Sequence, residues 1–187
     1  MLYLASRSPR RTRLLREAGI RHRILKIHYK ESCPPGAGPA SVARKNALGK
    51  ALTAFTQIKS GRVLAADTLV YFKKKIIGKP GSKHEAEKTL LSLQGVWHSV
   101  YTAVALLDVE NARIKKNILF HEITKVRLKA MSLSQIRRYF RRVNPMDKAG
   151  AYAIQSRSNK IVQEVRGSFS NAVGLPMERL CARMKKL

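Results

Sequence analysis

The sequence is poor in acid. It carries 11 Asp and Glu against 38 Lys and Arg, a formal net charge of +27 over 187 residues. A field of that sign attracts polyanions: nucleic acid, anionic lipid or a phosphorylated small molecule. The basic residues run along the whole chain, and no RNA-binding aromatic signature or zinc-finger spacing accompanies them. The charge therefore permits an anionic partner without selecting one. Cysteine is scarce as well. Cys33 and Cys181 lie far apart and match no metal-ligand spacing, which reads as reduced thiols in a cytoplasmic protein. No apolar run approaches ~18 residues, so no membrane span is expected. Met1 to Arg7 lacks a basic region ahead of a long apolar segment and does not read as a secretory signal. The glycines form no Walker-type phosphate loop, and no Ser/His/Asp or Cys/His order stands out.

What is present suffices for a core. Hydrophobic residues make up 44% of the chain, and one domain over 1–187 is expected. Leu2 to Ala5 reads as a first strand. Ser8 and Pro9 mark a helix start, and Gly19 is placed to end that helix. Residues 20–28 read as a second strand, 40–57 as a helix, and 63–72 as an apolar strand. Lys73-Lys74-Lys75 reads as a tight turn before Ile76-Ile77. A helix is expected over 83–93. Two long strands, 96–109 and 113–129, are joined at Glu110-Asn111. A helix capped by Ser132 or Ser134 runs to about 141, a short strand covers 161–165, and a last helix covers 175–184. Helices and strands alternate early and antiparallel strands fill the middle, which predicts an α/β protein with a mixed sheet.

Four segments carry chemistry. Ser6 to Arg11 lies between a strand and a helix, where free N–H groups and two arginines suit a phosphate; an ordinary capped helix with exposed arginines fits equally. Asp67 interrupts an apolar strand. A buried carboxylate needs a cation, a metal or a set of donors beside it, so Asp67 is either a general base or metal ligand, or a strand-end residue bonded to backbone. Gly78-Lys79-Pro80 offers one lysine on a turn. Asp147 to Gln155 is rich in small residues that let backbone approach a ligand. His98 reads as a satisfied core or inter-strand histidine.

Taken in order, these segments resemble the Maf family of nucleotide pyrophosphatases. The family's opening signature appears as Leu4-Ala5-Ser6-Arg7-Ser8-Pro9-Arg10-Arg11. Glu31 matches the Glu at the end of its next strand. Its helical stretch resembles Arg44-Lys45-Asn46-Ala47-Leu48-Gly49-Lys50-Ala51. Ala66-Asp67-Thr68, Gly78-Lys79-Pro80, Asp147 to Tyr152 with Ile154-Gln155, and Gly167 to Asn171 follow in register. The resemblance implies an elongated mixed β-sheet flanked by helices, with two lobes around a central cleft. It implies metal-dependent release of pyrophosphate from a nucleoside triphosphate, with Mg²⁺, Mn²⁺ or Co²⁺ as the divalent cation, in the branch acting on dTTP and UTP. Ser6, Arg10, Arg11, Lys50 and Lys79 would hold the triphosphate, Asp67 and Glu31 would serve catalysis and the metal, and Gln155 would contact the base. A homodimer is implied too. The chain departs from the family pattern at Ala153 and Ser156, where glycine is common. The competing reading is a scaffold that binds nucleic acid through its basic surface without turnover, or an enzyme with added non-specific nucleic-acid affinity.

Overall fold

The computed structural model describes residues 1–154 and 161–185. Its centre is a seven-stranded mixed sheet in the order β2-β1-β3-β5-β6-β7, with β4 paired to β3 beyond β1. Strand β1 (Leu2–Leu4) runs parallel to β2 (His22–Ile24) and to β3 (Gly61–Phe72). Strands β3, β5 (Trp97–Glu110), β6 (Arg113–Leu128) and β7 (Val162–Arg166) are successively antiparallel. The two hairpin turns, Lys73-Lys74 and Asn111-Ala112, all have positive φ, the backbone that suits two-residue turns between twisted strands. The second turn falls one residue later than the sequence predicted. Strand β2 is far shorter than the expected 20–28 because β1 offers it only three partners.

Alternation along β3 sorts its side chains between two cores. Leu64 and Ala66, with Val104 and Leu106 of β5, pack beneath α1 (Pro9–Glu17), α5 (Phe169–Val173) and α6 (Met177–Met184). Val63, Ala65 and Leu69 face the other way, against Val42, Ala43, Ala47, Ala51 and Ala54 of α2 (Pro39–Phe55). The alanines let this helix lie close on the sheet. A third core gathers Val70, Val100, Val126 and Leu128 with Leu90 and Leu93 of α3 (Lys83–Leu93) and Ile136 and Tyr139 of α4 (Leu133–Phe140). The long strands thus pass from a lobe with two cores to a second lobe with its own. Ser82 caps α3, and Ser132 with Gln135 forms a capping box on α4. The short α5 was not expected from sequence. No helix among the described residues is long and apolar enough to cross a membrane.

Candidate active site

The cleft follows from a gap in the sheet. Strand β1 pairs with β3 only through Leu64, and β4 begins only at Val70. Between them one edge of β3 has no partner strand. Asp67 and Thr68 occupy this stretch and point to opposite faces, Asp67 toward α2 and Thr68 toward α1 and α5. Both line one cavity of about 690 Å³, inside the range of small-molecule sites. Among the described residues its wall holds six Lys or Arg and three Asp or Glu.

On the α2 side, Lys50 Nζ donates to Asp67 Oδ1 and to Glu31 Oε1, each at 2.6 Å. Lys50 and Asp67 are largely buried, with side-chain exposures of 11% and 8%. Asn46, one helical turn before Lys50, donates from Nδ2 to Asp67 Oδ2 at 3.3 Å. Lys79 approaches the other oxygen of Glu31 at 3.7 Å. Burial alone would raise the Glu31 carboxyl. The hydrogen bond and charge of Lys50, with Lys79 and Arg11 behind it, outweigh that and hold it below the usual glutamate value.

On the α1 side the two arginines differ. Arg11 is buried and fixed: Nε donates to Gly174 O at 2.8 Å, Nη1 to Ser6 Oγ at 2.9 Å and Nη2 to Thr68 Oγ1 at 3.0 Å. Three of its five N–H donors are therefore committed to the protein. Burial lowers its guanidinium to about 10, against the pull of Asp67, so it stays charged at neutral pH. Arg10 is more open, with 26% of its side chain exposed, and pairs with Asp147 at 3.2 Å. Burial would raise the Asp147 carboxyl, but Lys148 and Arg10 hold it low. Ser8 starts α1 without a side-chain cap, so it does not occupy the first-turn N–H groups of Arg10 and Arg11.

The far wall comes from the second lobe. Gly150 has φ 71° and donates its N–H to Gly78 O at 3.1 Å, which ties the turn carrying Lys79 to the loop carrying Asp147. A Cβ there would press on Val70 Cγ2 at 2.9 Å, so glycine is required. Tyr152 shares a 2.8 Å hydrogen bond with buried His98 Nε2. Burial pushes the His98 imidazole down to about 4 and raises the Tyr152 hydroxyl far above its usual value.

The structure therefore gathers Ser6, Arg10, Arg11, Glu31, Lys50, Asp67 and Lys79 around one cavity. Gln155 lies outside the described residues. Sequence reasoning gave no role to Asn46 or Thr68 and did not pair Asp147 with Arg10. For Asn46 a signal existed: it is a polar residue among alanines, four positions before Lys50.

The carboxylate pair suits a hard divalent cation. Two carboxylate oxygens sit 2.6 Å from one ammonium, so an ion taking oxygen ligands at 2.0–2.6 Å would find both within reach. Among the described residues no group of three or more His, Cys, Asp or Glu gathers to hold a metal. Mg²⁺ takes one or two protein carboxylates and completes its shell with phosphate and water oxygens.

Comparison with known proteins gives a consistent result. A sequence model described as Maf-like protein matches residues 1–187. The chain is 40% identical over 185 residues to the dTTP/UTP pyrophosphatase of Pelotomaculum thermopropionicum, covering 99% of this chain and 95% of the relative. It is 38% identical over 184 residues to the dTTP/UTP pyrophosphatase of Aquifex aeolicus, covering 98% and 94%. Among solved structures, the HAM1 protein of Coxiella burnetii superposes with a TM-score of 0.56 at 17% identity, covering 100% of this chain and 98% of that one. The Ham1 protein of Staphylococcus aureus gives 0.54 at 12% identity, covering 99% and 98%. At these identities the structural likeness concerns the fold.

Proposed function

The chain belongs to the Maf-like protein family, and on that premise we propose that it hydrolyses a nucleoside triphosphate, dTTP or UTP in the first place, to the monophosphate and pyrophosphate. The observation that carries the reading is the convergence of Asp67, Lys50 and the two arginines of α1 on one cavity. The names of the full-length relatives support the substrate class and favour turnover over a nucleic-acid scaffold.

In this reading Arg10 and Lys79, the more exposed cations, take the terminal phosphates. Arg11 stays fixed against Ser6, Thr68 and Gly174 and presents a positive charge where negative charge gathers. Asp67 holds a water against the α-phosphorus and accepts its proton. The water oxygen bonds to that phosphorus, the bridging bond to the β-phosphate breaks, and its electron pair leaves with pyrophosphate. Lys50 fixes the Asp67 carboxylate by one oxygen and Asn46 fixes it by the other, so the base is oriented before substrate arrives. A divalent cation, Mg²⁺, Mn²⁺ or Co²⁺, would be held by Asp67 and Glu31 together with substrate phosphate. When bound it would neutralise phosphate charge and polarise the attacked phosphoryl group. Gln155 is the residue we assign to the base, on the family resemblance.

We take residues 1–187 as one domain working in the cytoplasm, in accord with the two free thiols Cys33 and Cys181. Light scattering of the purified protein would decide whether it works as a dimer. The decisive assay is a panel of dTTP, UTP, CTP, ATP and GTP with each of the three metals, scored for products. Pyrophosphate with the monophosphate is expected. Orthophosphate with the diphosphate would place the cut at the wrong bond and overturn the reading.

A further inference from the structure

Glu31 lies where regular structure is missing. Strand β2 ends at Ile24, α2 begins at Pro39, and residues 25–38 between them form neither helix nor strand. A loop of that length has many conformations, and a side chain on it is positioned only as well as the loop is tethered. Most of its tethers lead to α2 or to the turn just past its end. Gln57 Nε2 donates to Lys26 O at 3.1 Å. Asn46 receives Ser32 N–H on Oδ1 at 2.9 Å and returns Nδ2 to Ser32 O at 3.1 Å, closing a two-bond clamp on the backbone beside Glu31. Asn46 is 3% exposed, and the same Nδ2 also reaches Asp67. Between these points the Tyr29 ring lies directly on α2 at Gly49: a Cβ on residue 49 would overlap ring atoms Cε2, Cζ and Oη. Glycine in a helix interior disfavours the helix relative to alanine. Gly49 has an ordinary helical backbone with no positive φ, so the room it leaves for Tyr29 is the physical reason for it that the structure offers.

We infer that Asn46, Gly49 and Tyr29 are positioning residues that key the 26–32 strap onto α2 and thereby set Glu31 against Lys50 and Asp67. The inference rests on the catalytic reading above for its consequence, but not for its geometry. One amide side chain reads the strap and the catalytic carboxylate together, so Glu31 and Asp67 keep a fixed separation through Asn46 as well as through Lys50. Tyr29 and Glu31 are two residues apart. Seating the ring on one side of Lys50 therefore fixes the reach of the carboxylate to it.

The test uses four variants of the whole chain: Asn46→Ala, Gly49→Ala, Tyr29→Ala, and Gly49→Ala combined with Tyr29→Ala. Amide hydrogen exchange of the peptide spanning 29–33 is followed without nucleotide, and hydrolysis is followed at varied dTTP and Mn²⁺. All single variants are expected to speed exchange in 29–33, the Ser32 amide included, while the β5–β6 hairpin stays protected. Turnover should fall roughly 10- to 100-fold, the cost of displacing a positioned group by about 1 Å, with kcat reduced more than the KM for dTTP and with more Mn²⁺ needed for half-saturation. The double variant should match Tyr29→Ala alone, because the displaced ring is already gone. Unchanged exchange in 29–33 for Asn46→Ala and Gly49→Ala would overturn the inference. So would full additivity in the double variant, which would give Gly49 a role unrelated to Tyr29. If the wild-type chain hydrolyses no triphosphate, the catalytic reading falls, and the exchange data still decide the strap.

Discussion

Replacing Lys50 by methionine removes one charge and almost no volume, and its consequence is calculable from the site. The ammonium is 2.6 Å from both carboxylates. Asp67 is 8% exposed, so the variant leaves it buried with Asn46 as its one side-chain hydrogen-bond donor among the described residues; Glu31 is 45% exposed and can turn to solvent. Breaking a buried pair by removing one partner costs about 3–5 kcal/mol, and an exposed partner adds little. A loss near 3 kcal/mol at pH 8 is therefore expected, read by urea unfolding on the fluorescence of the single tryptophan, Trp97. The pH dependence has a definite sign. In the wild type Glu31 is held below its usual value, so its contribution is present above the unfolded value and is lost as pH falls through the folded one. In the variant Glu31 loses the cation that held its carboxyl low, so its share of the difference is absent. The two stability curves should approach each other as pH falls below the ordinary glutamate value, through the folded Glu31 value. Mn²⁺ should stabilise the variant more than the wild type, since no ammonium competes for the carboxylates. A loss below about 1 kcal/mol that does not change with pH would refute the idea that Lys50 compensates a buried charge.

Asp67→Asn should cut pyrophosphate release by at least about 100-fold, as expected for loss of a general base, with circular dichroism unchanged; full turnover would remove Asp67 from the chemistry. Arg10→Ala should raise the KM for dTTP and shift stability by less than about 1 kcal/mol, because its pair with Asp147 is partly exposed. Wild-type stability should decline as pH falls from about 6.5 to about 4, since buried His98 stays neutral in the fold down to about 4 and takes a proton earlier when unfolded. The drop is about 3 kcal/mol, and a His98→Gln variant should lack that segment of the curve.

Much of this was readable in advance, for physical reasons that differ by element. Helix α3 has the bounds its sequence predicts, and the structure shows why it stops there: Ser82 caps its start and Gly95, with positive φ, follows its end. The long hairpin was legible from β-forming runs around one polar turn. Strand β2 is overextended in the sequence reading because an apolar, alternating stretch reads alike whether it pairs in a sheet or packs as a strap; Leu25 and Ile27 are half-buried against the α2 core. Helix α5 is five residues long, too short for periodicity, and is specified by contacts distant in sequence: Asn171 Nδ2 donates to Val100 O and Thr124 Oγ1. Asp67 stood out as an acid in an apolar strand. Arg10 and Arg11 looked equivalent in sequence. Successive residues on a helix point about 100° apart, so one is embedded in the protein and the other faces the opening.

The interrupted edge of β3 has a consequence for anyone who dissects this cleft by mutation. Leu64 O accepts from Ala5 N–H on that edge, so by the two-residue repeat of a strand the main-chain groups of Thr68, which lines the cavity, point the same way, into the stretch where no neighbouring strand claims them. A nucleotide settling there meets peptide amides and carbonyls as well as charged side chains. Alanine scanning removes side chains and leaves peptides in place, so summed losses from such a scan will understate affinity. Backbone ester substitution at Thr68 would expose the missing share.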